Sequence, residues 1–256
     1  MSFQIIEWDD LTGKKPEKSA VTIGVFDGLH LGHRELIRRV VGHGPNPTVI
    51  SFRENPKKIL YPEKYKGDIF SQRQKLAAFN NMGLSRLILI DFSEKINKLK
   101  GRDFLDLLEN RVNMAFMAIG TNFRCGHGQD TDAALIKERN ERKGIPTELV
   151  SPLGLPGATE AEPVSSSRIR SAIISGDVKL AAALMGRNFV LDLADLQGED
   201  QVYDLRSVQR VIPMEGRYPV LIHPGCISGW AEAENGKICL SKTNSGFVES
   251  IEFITS

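Results

Sequence analysis

Residues 22–33 read Thr-Ile-Gly-Val-Phe-Asp-Gly-Leu-His-Leu-Gly-His. An apolar, β-type run over residues 21–25 stops at Phe26-Asp27-Gly28, and His30 and His33 follow three apart with Gly32 between them. A short apolar strand that breaks at small residues and passes into a helix-like stretch predicts the opening of an α/β unit. The chemistry points the same way. Glycines let backbone approach a ligand closely. A helix start offers free N–H groups and the positive end of a dipole. Two imidazoles add donors whose charge is adjustable near neutral pH. The segment therefore predicts a site for a polyphosphate. A His-x-x-His pair is also compatible with a structural metal, although the chain has only five histidines.

Working outward, short apolar runs alternate with helical patterns. Residues 48–52, 86–90, 114–119 and 146–150 read as further strands, and 32–41, 73–81, 103–111 and 133–143 as helices. The run Arg-Leu-Ile-Leu-Ile at 86–90 has the near-continuous apolar character of a parallel strand covered on both faces. This alternation predicts an α/β fold, a Rossmann-like doubly wound parallel sheet over residues 1–186, with ligands at the C-terminal ends of the strands. Beyond Gly186 the texture changes. Apolar pieces at 208–212, 219–222, 227–233, 237–240 and 247–254 are separated by Pro213, Gly216, Gly225 and the Asn235-Gly236 pair, a hairpin signal. Residues 187–256 therefore predict a small β-rich domain.

Composition narrows the partners. Thirty-three Lys and Arg against 32 Asp and Glu leave a net charge of +1, which gives no support for bulk binding to nucleic acid or membrane. There is no opening signal-like stretch and no apolar run long enough to span a bilayer. Cys125, Cys226 and Cys239 are odd in number and lack CxxC spacing, which argues against a disulfide framework. The expectation is a cytoplasmic chain acting on small molecules, with no obligatory protein partner.

Two further stretches carry chemistry. Gly120-Thr-Asn-Phe-Arg-Cys-Gly126 leaves the run 114–119 and sets glycines, an amide and Arg124 at another strand end. By itself it is also compatible with a mere tight turn around a small buried Cys125. Val164-Ser-Ser-Ser-Arg-Ile-Arg170 opens a helical stretch with three possible N-caps and two guanidinium forks, a good anion cradle. Alone it also reads as an ordinary capped helix start. All three segments follow strands or open helices of one sheet, and the conjunction favours a common site.

Together they resemble a known family. Gly-Val-Phe-Asp-Gly-Leu-His-Leu-Gly-His (24–33) is similar to the signature of the HxGH nucleotidylyltransferase superfamily. With Gly-x-Asn-Phe-Arg-x-Gly, Ser-Ser-x-Arg-Ile-Arg and the run 175–187, the chain over residues 16–189 resembles the FMN adenylyltransferase module of prokaryotic FAD synthetases. The resemblance implies an enzyme joining FMN and ATP to give FAD and pyrophosphate, with Mg²⁺ carried by phosphates and no metal ligand assigned among protein side chains. It implies catalytic roles for His30, His33 and Arg168. ATP would be held by Gly24, Val25, Phe26, Asp27, Gly28, Gly32, Ser165, Ser166, Ser167 and Arg170, and FMN by Asn55, Pro56, Asn122, Phe123 and Arg124. The alternatives are a related nucleotidylyltransferase for another phosphate ester, or a non-catalytic flavin-nucleotide binding protein.

The chain departs from that pattern in places. Asn55 stands where the family has a histidine, Cys125 where phenylalanine is usual, and Thr131 where a glycine is usual. The family's common riboflavin kinase barrel carries a Gly-x-Pro-Thr-x-Asn motif, and none occurs after Arg187, where Thr243-Asn244 is a lone dipeptide. Residues 211–222 and 247–253 faintly resemble later strands of that barrel. The expectation is a reduced, kinase-deficient remnant and a monofunctional adenylyltransferase.

Overall fold

The computed structural model describes residues 3–11, 16–155, 162–241 and 247–255; Thr243-Asn244 lies outside them. The chain divides into two compact units that interleave along the sequence. The first takes Met1–Phe26, Gly32–Glu63 and Leu76–Leu153, and the second Asp27–Leu31, Lys64–Lys75 and Gly154–Ser256.

Up to residue 150 the elements run β1 (Gln4–Glu7), β2 (Ser19–Ile23), α1 (Leu31–His43), β3 (Thr48–Phe52), α2 (Pro56–Leu60), α3 (Gln72–Asn80) and β4 (Arg86–Ile90). They continue with α4 (Glu94–Asn97), α5 (Gly101–Arg111), β5 (Met114–Gly120), β6 (Arg124–Cys125), β7 (Thr131–Asp132), α6 (Ala133–Arg142) and β8 (Thr147–Val150). The first unit is built on a parallel sheet in the order β1-β4-β3-β2-β5-β8. All five residues of β2 are buried, as a central strand covered on both faces requires. On one face Val21, Ile23, Ile50 and Ile88 pack with Phe104, Leu105 and Leu108 of α5 and Ile136 of α6. On the other, Ala20, Phe116 and Ala118 pack with Val40 of α1. The predicted doubly wound sheet is therefore present. Strand β1 is an addition to it: four residues, none buried, pairing with β4 at the edge. Strand β2 also ends two residues earlier than the sequence suggests, so Gly24 and Val25 belong to the loop that leaves it.

The second unit contains α7 (Ser166–Ile174), α8 (Val178–Met185), β9 (Val190–Asp192), β10 (Val202–Asp204), β11 (Gly216–His223), β12 (Ile227–Glu234), β13 (Lys237–Leu240) and β14 (Ser250–Phe253). Its six strands form an antiparallel sheet in the order β10-β13-β12-β11-β14-β9. Val220, Ile222, Ala231, Ile238, Ile251 and Phe253 of this sheet share one core with Ile169 and Ile173 of α7 and Leu184 and Met185 of α8. Asn235 and Gly236 both have positive φ (50° and 74°) and turn β12 into β13, the hairpin their sequence predicts. Strands β9 and β10, three residues each, escape the sequence reading. Residues 208–212 are not a strand; only an isolated bridge between Arg210 and Asp68 forms there.

Candidate functional site

In the first unit the reversal of strand order falls at β2, with β3 on one side and β5 on the other. Ligands of doubly wound sheets bind outside the carboxyl ends of the strands at such a reversal. Gly24, Val25 and Phe26 leave β2 there, and the Gly120 segment leaves β5. Phe26 is fully buried with φ of 53°, strained for a residue with a Cβ. It is fixed by edge-on ring contacts with His33 (5.1 Å) and Phe79 (5.8 Å). His33 sits in the first turn of α1, half-buried, two residues after Leu31 and beside Gly32.

The FMN candidates also lie in this unit. Asn55 is buried and its side chain accepts from the Lys57 N–H (3.1 Å), capping α2, with Pro56 as the first helical residue. At the end of β5 the Phe123 N–H donates to the Gly120 carbonyl (2.9 Å), so the segment is a tight turn. Phe123 packs on the core while Asn122 and Arg124 are exposed, the latter opposite Asp132 in the β6–β7 pair. Cys125 is half-buried, and its burial pushes the thiol up to about 12.

In the second unit, residues 27–31 are clamped from several sides. Asp27 is buried, and its carboxylate accepts from the N–H groups of Ile69 (3.0 and 3.1 Å) and Phe70 (3.0 Å) and from the Arg170 guanidinium. Burial pushes this carboxyl up, and the Arg170 charge and the two amides pull against it. Arg170 completes its fork by donating from Nε to the Gly67 carbonyl (2.7 Å). The sequence reading offers Arg170 to phosphate; the structure gives it to Asp27, because a carboxylate this deeply buried needs a counter-charge. Ser166 donates its hydroxyl to the Asp27 carbonyl (2.8 Å), and Arg187 donates to the Gly28 carbonyl (3.3 Å) while stacking on Phe70. Gly28 has φ of 79°, and a Cβ there would fall 2.9 Å from the Ile69 methyl. Any residue with a Cβ would be strained there and would force Ile69 to shift.

The serine–arginine stretch is divided among tasks. Ser165 caps α7 by accepting from the Arg168 N–H (3.2 Å), Ser166 faces Asp27, and Ser167 is exposed. Arg168 donates to the Glu162 carbonyl (2.6 Å) and keeps a quarter of its side chain in solvent. Lys75, buried in the same unit, is held down to about 8 by desolvation, with Asp27 and Asp68 opposing. Lys75, Gly67, Ile69 and Phe70 are the residues that sequence reasoning misses. Their segment carries no motif, and its amides act through backbone that any residue could supply.

His30 is 7% exposed, and burial pulls its imidazole from 6.5 down to about 4. It is therefore neutral at pH 7, a hydrogen-bonding group without a charge. The unfolded chain takes up this proton below pH 6.5 and the folded one only near pH 4, so the unfolded state binds more protons between those values. Stability contributed by His30 is complete above pH 6.5 and falls as pH drops towards 4, by at most about 3 kcal/mol. Urea midpoints from pH 7 to pH 4.5 should fall, and His30→Gln should flatten that part of the profile. An equally steep profile in the variant would assign the acid sensitivity elsewhere.

Among the described residues, no three His, Cys, Asp or Glu side chains come together as a metal site. Asp27, the motif's own carboxylate, is occupied by two amides and a guanidinium. No helix among these residues is long and apolar enough to cross a membrane.

The chain is similar to several known proteins. The chain is 28% identical over 176 residues to the bifunctional riboflavin kinase/FMN adenylyltransferase of Buchnera aphidicola subsp. Acyrthosiphon pisum, covering 67% of this chain and 55% of that protein. It is 26% identical over 243 residues to the Bacillus subtilis protein of the same description, covering 93% and 74%. In fold it is similar to a crystal structure described as a macrolide-efflux protein from Streptococcus pneumoniae, with TM-score 0.78, 21% identity and coverage of 97% and 88%. The FAD synthetase family model matches residues 12–168, which take in the glycine–histidine segment, the Gly120 turn and the opening of α7, and the chain belongs to that family.

Proposed function

We propose that the chain is an FMN adenylyltransferase, making FAD and pyrophosphate from FMN and ATP, and that it lacks riboflavin kinase activity. One observation carries the reading: the family match spans 12–168 and so takes in the first two chemical segments whole and the third as far as Arg168 in one stretch. An FMN phosphate oxygen attacks the α-phosphorus of ATP, the bond from that phosphorus to the bridging oxygen breaks, and pyrophosphate leaves. A phosphomonoester has its second pKa near ~6 and is largely dianionic at pH 7, so no side chain is needed as a base. Alignment and charge stabilisation remain to be supplied.

In this reading His30 and His33 donate to the triphosphate and stabilise the α-phosphate as its geometry changes. Gly24, Gly28 and Gly32 admit the phosphates close to the backbone, with Val25 and Phe26 lining their approach. Ser165, Ser166, Ser167 and Arg168 receive the departing pyrophosphate. Asp27 and Arg170 hold the loop in shape. Asn55, Pro56, Asn122, Phe123 and Arg124 face the flavin nucleotide, and magnesium enters as part of the nucleotide substrate. Residues 1–186 act as the adenylyltransferase domain and 187–256 as a remnant of a kinase-like barrel. The absence of Gly-x-Pro-Thr-x-Asn from residues 188–256 supports the loss of kinase chemistry.

Purified protein incubated with Mg-ATP and FMN should yield FAD by chromatography, and with Mg-ATP and riboflavin should yield no FMN. Failure to form FAD refutes the adenylyltransferase. FMN formed from riboflavin refutes the claim about the C-terminal residues.

A further inference from the structure

We propose that the antiparallel sheet is a positioning element for the nucleotide loop, with Asp192 and Arg73 as its positioning residues. The loop's nucleotide role rests on the function proposed above; the mechanical linkage rests on contacts within the second unit. Asp27 is held by the amides of Ile69 and Phe70, and Arg170 by the Gly67 carbonyl. Residues 67–74 therefore hold the Asp27 side chain, directly and through Arg170, and whatever fixes them acts on the loop through that carboxylate.

The antiparallel domain fixes that segment at three points. At its start, the Asp68 N–H donates to the Gln209 carbonyl (2.8 Å), and the Val211 N–H donates back to the Asp68 carbonyl (3.0 Å). Gly67 lies so close to this strip that a Cβ would come 2.5 Å from the Arg210 carbonyl carbon, at φ of 96°. In the middle, the Asp192 carboxylate at the end of β9 accepts from the Ser71 hydroxyl and from Arg73 (2.7 Å from Nη2, 3.2 Å from Nε). Arg73 also pairs with Glu249 beside β14. At its end, Gln74 donates to the Val190 carbonyl of β9 (2.9 Å).

Asp192 is 2% exposed, and it has more partners than a sheet terminus requires. Its second oxygen accepts from the Ala194 N–H (3.1 Å), and its own carbonyl accepts from Arg210 (2.5 Å), the residue that flanks Gly67. One carboxylate thus joins β9, the 209–211 strip and the 67–74 segment. Charge-assisted bonds of this kind are strong and directional.

Hydrogen exchange of the full chain, read by mass spectrometry, tests the linkage without any assay of activity. In Arg73→Ala, amides in 67–74 should exchange about tenfold faster or more, while peptides 218–222 and 250–253 are unchanged. The Kd for Mg-ATP by calorimetry should rise about five- to tenfold, and Arg73→Lys, which keeps a cation but not the fork, should fall between parent and alanine in both readouts. Asp192→Asn should act in the same direction as Arg73→Ala. Unchanged exchange at 67–74, acceleration spread evenly over the sheet, or faster exchange with unaltered nucleotide affinity would each overturn the proposal. If the unmutated protein binds no nucleotide, the function above fails, and the exchange measurement still decides the linkage.

Discussion

Arg170→Ala is expected to destabilise the protein strongly and to abolish most of its activity. Its guanidinium and the Asp27 carboxylate are both buried, at 7% and 5% exposure. Removing one partner of such a pair leaves an uncompensated charge, at a cost of about 3–5 kcal/mol. Urea unfolding at pH 7 measures the loss directly. Arg170→Lys keeps a cation but not the fork, so it loses the Gly67 bond and should fall between the two. FAD formation should fall well beyond what partial unfolding explains, because Asp27 carries the turn on which His30 sits two residues beyond Gly28. An alanine variant as stable as the parent would mean that Asp27 is neutral in the fold and that the pair is not what holds the loop.

His30→Ala should lower kcat by ~10²–10³, the loss typical of one preorganised donor to a developing charge. Removing a buried imidazole also leaves space, so His30→Asn is the companion variant, restoring a donor of smaller reach. The measurement is steady-state FAD formation at saturating ATP and FMN, pH 7.5, where the parent imidazole is uncharged. If His30 acts on the α-phosphate, kcat falls in both variants and the KM for FMN changes little. Turnover near that of the parent would remove His30 from the chemistry.

Much of the fold is legible in the residues themselves. The apolar run 86–90 announces a strand covered on both faces, and Asn235-Gly236 announces a hairpin; both form where they are read. Strand β1 is not legible because it is short and only half-covered, and its single partner β4 lies some eighty residues away in the chain. Residues 208–212 mislead for the converse reason: an apolar strip with no neighbouring strand of its own sheet makes only an isolated bridge. In the site, the glycine and histidine spacing carries the phosphate expectation, because backbone conformation and helix starts are local properties. The partnership of Asp27 with Arg170 spans 143 positions. Nothing local distinguishes an arginine that meets a buried carboxylate from one that reaches for a ligand.

The interleaving of the two units has a consequence for biosynthesis. Residues 27–31 and 64–75 leave the ribosome well before 154–256, the stretch that completes their compact unit. At roughly 5–20 residues per second, Ile69 and Phe70 spend several seconds in the nascent chain without the core that later covers them. Ribosome-bound chains halted before residue 154 should therefore engage hydrophobic-segment chaperones through this stretch. The motif translated early reaches its native shape only after the late strands have been made.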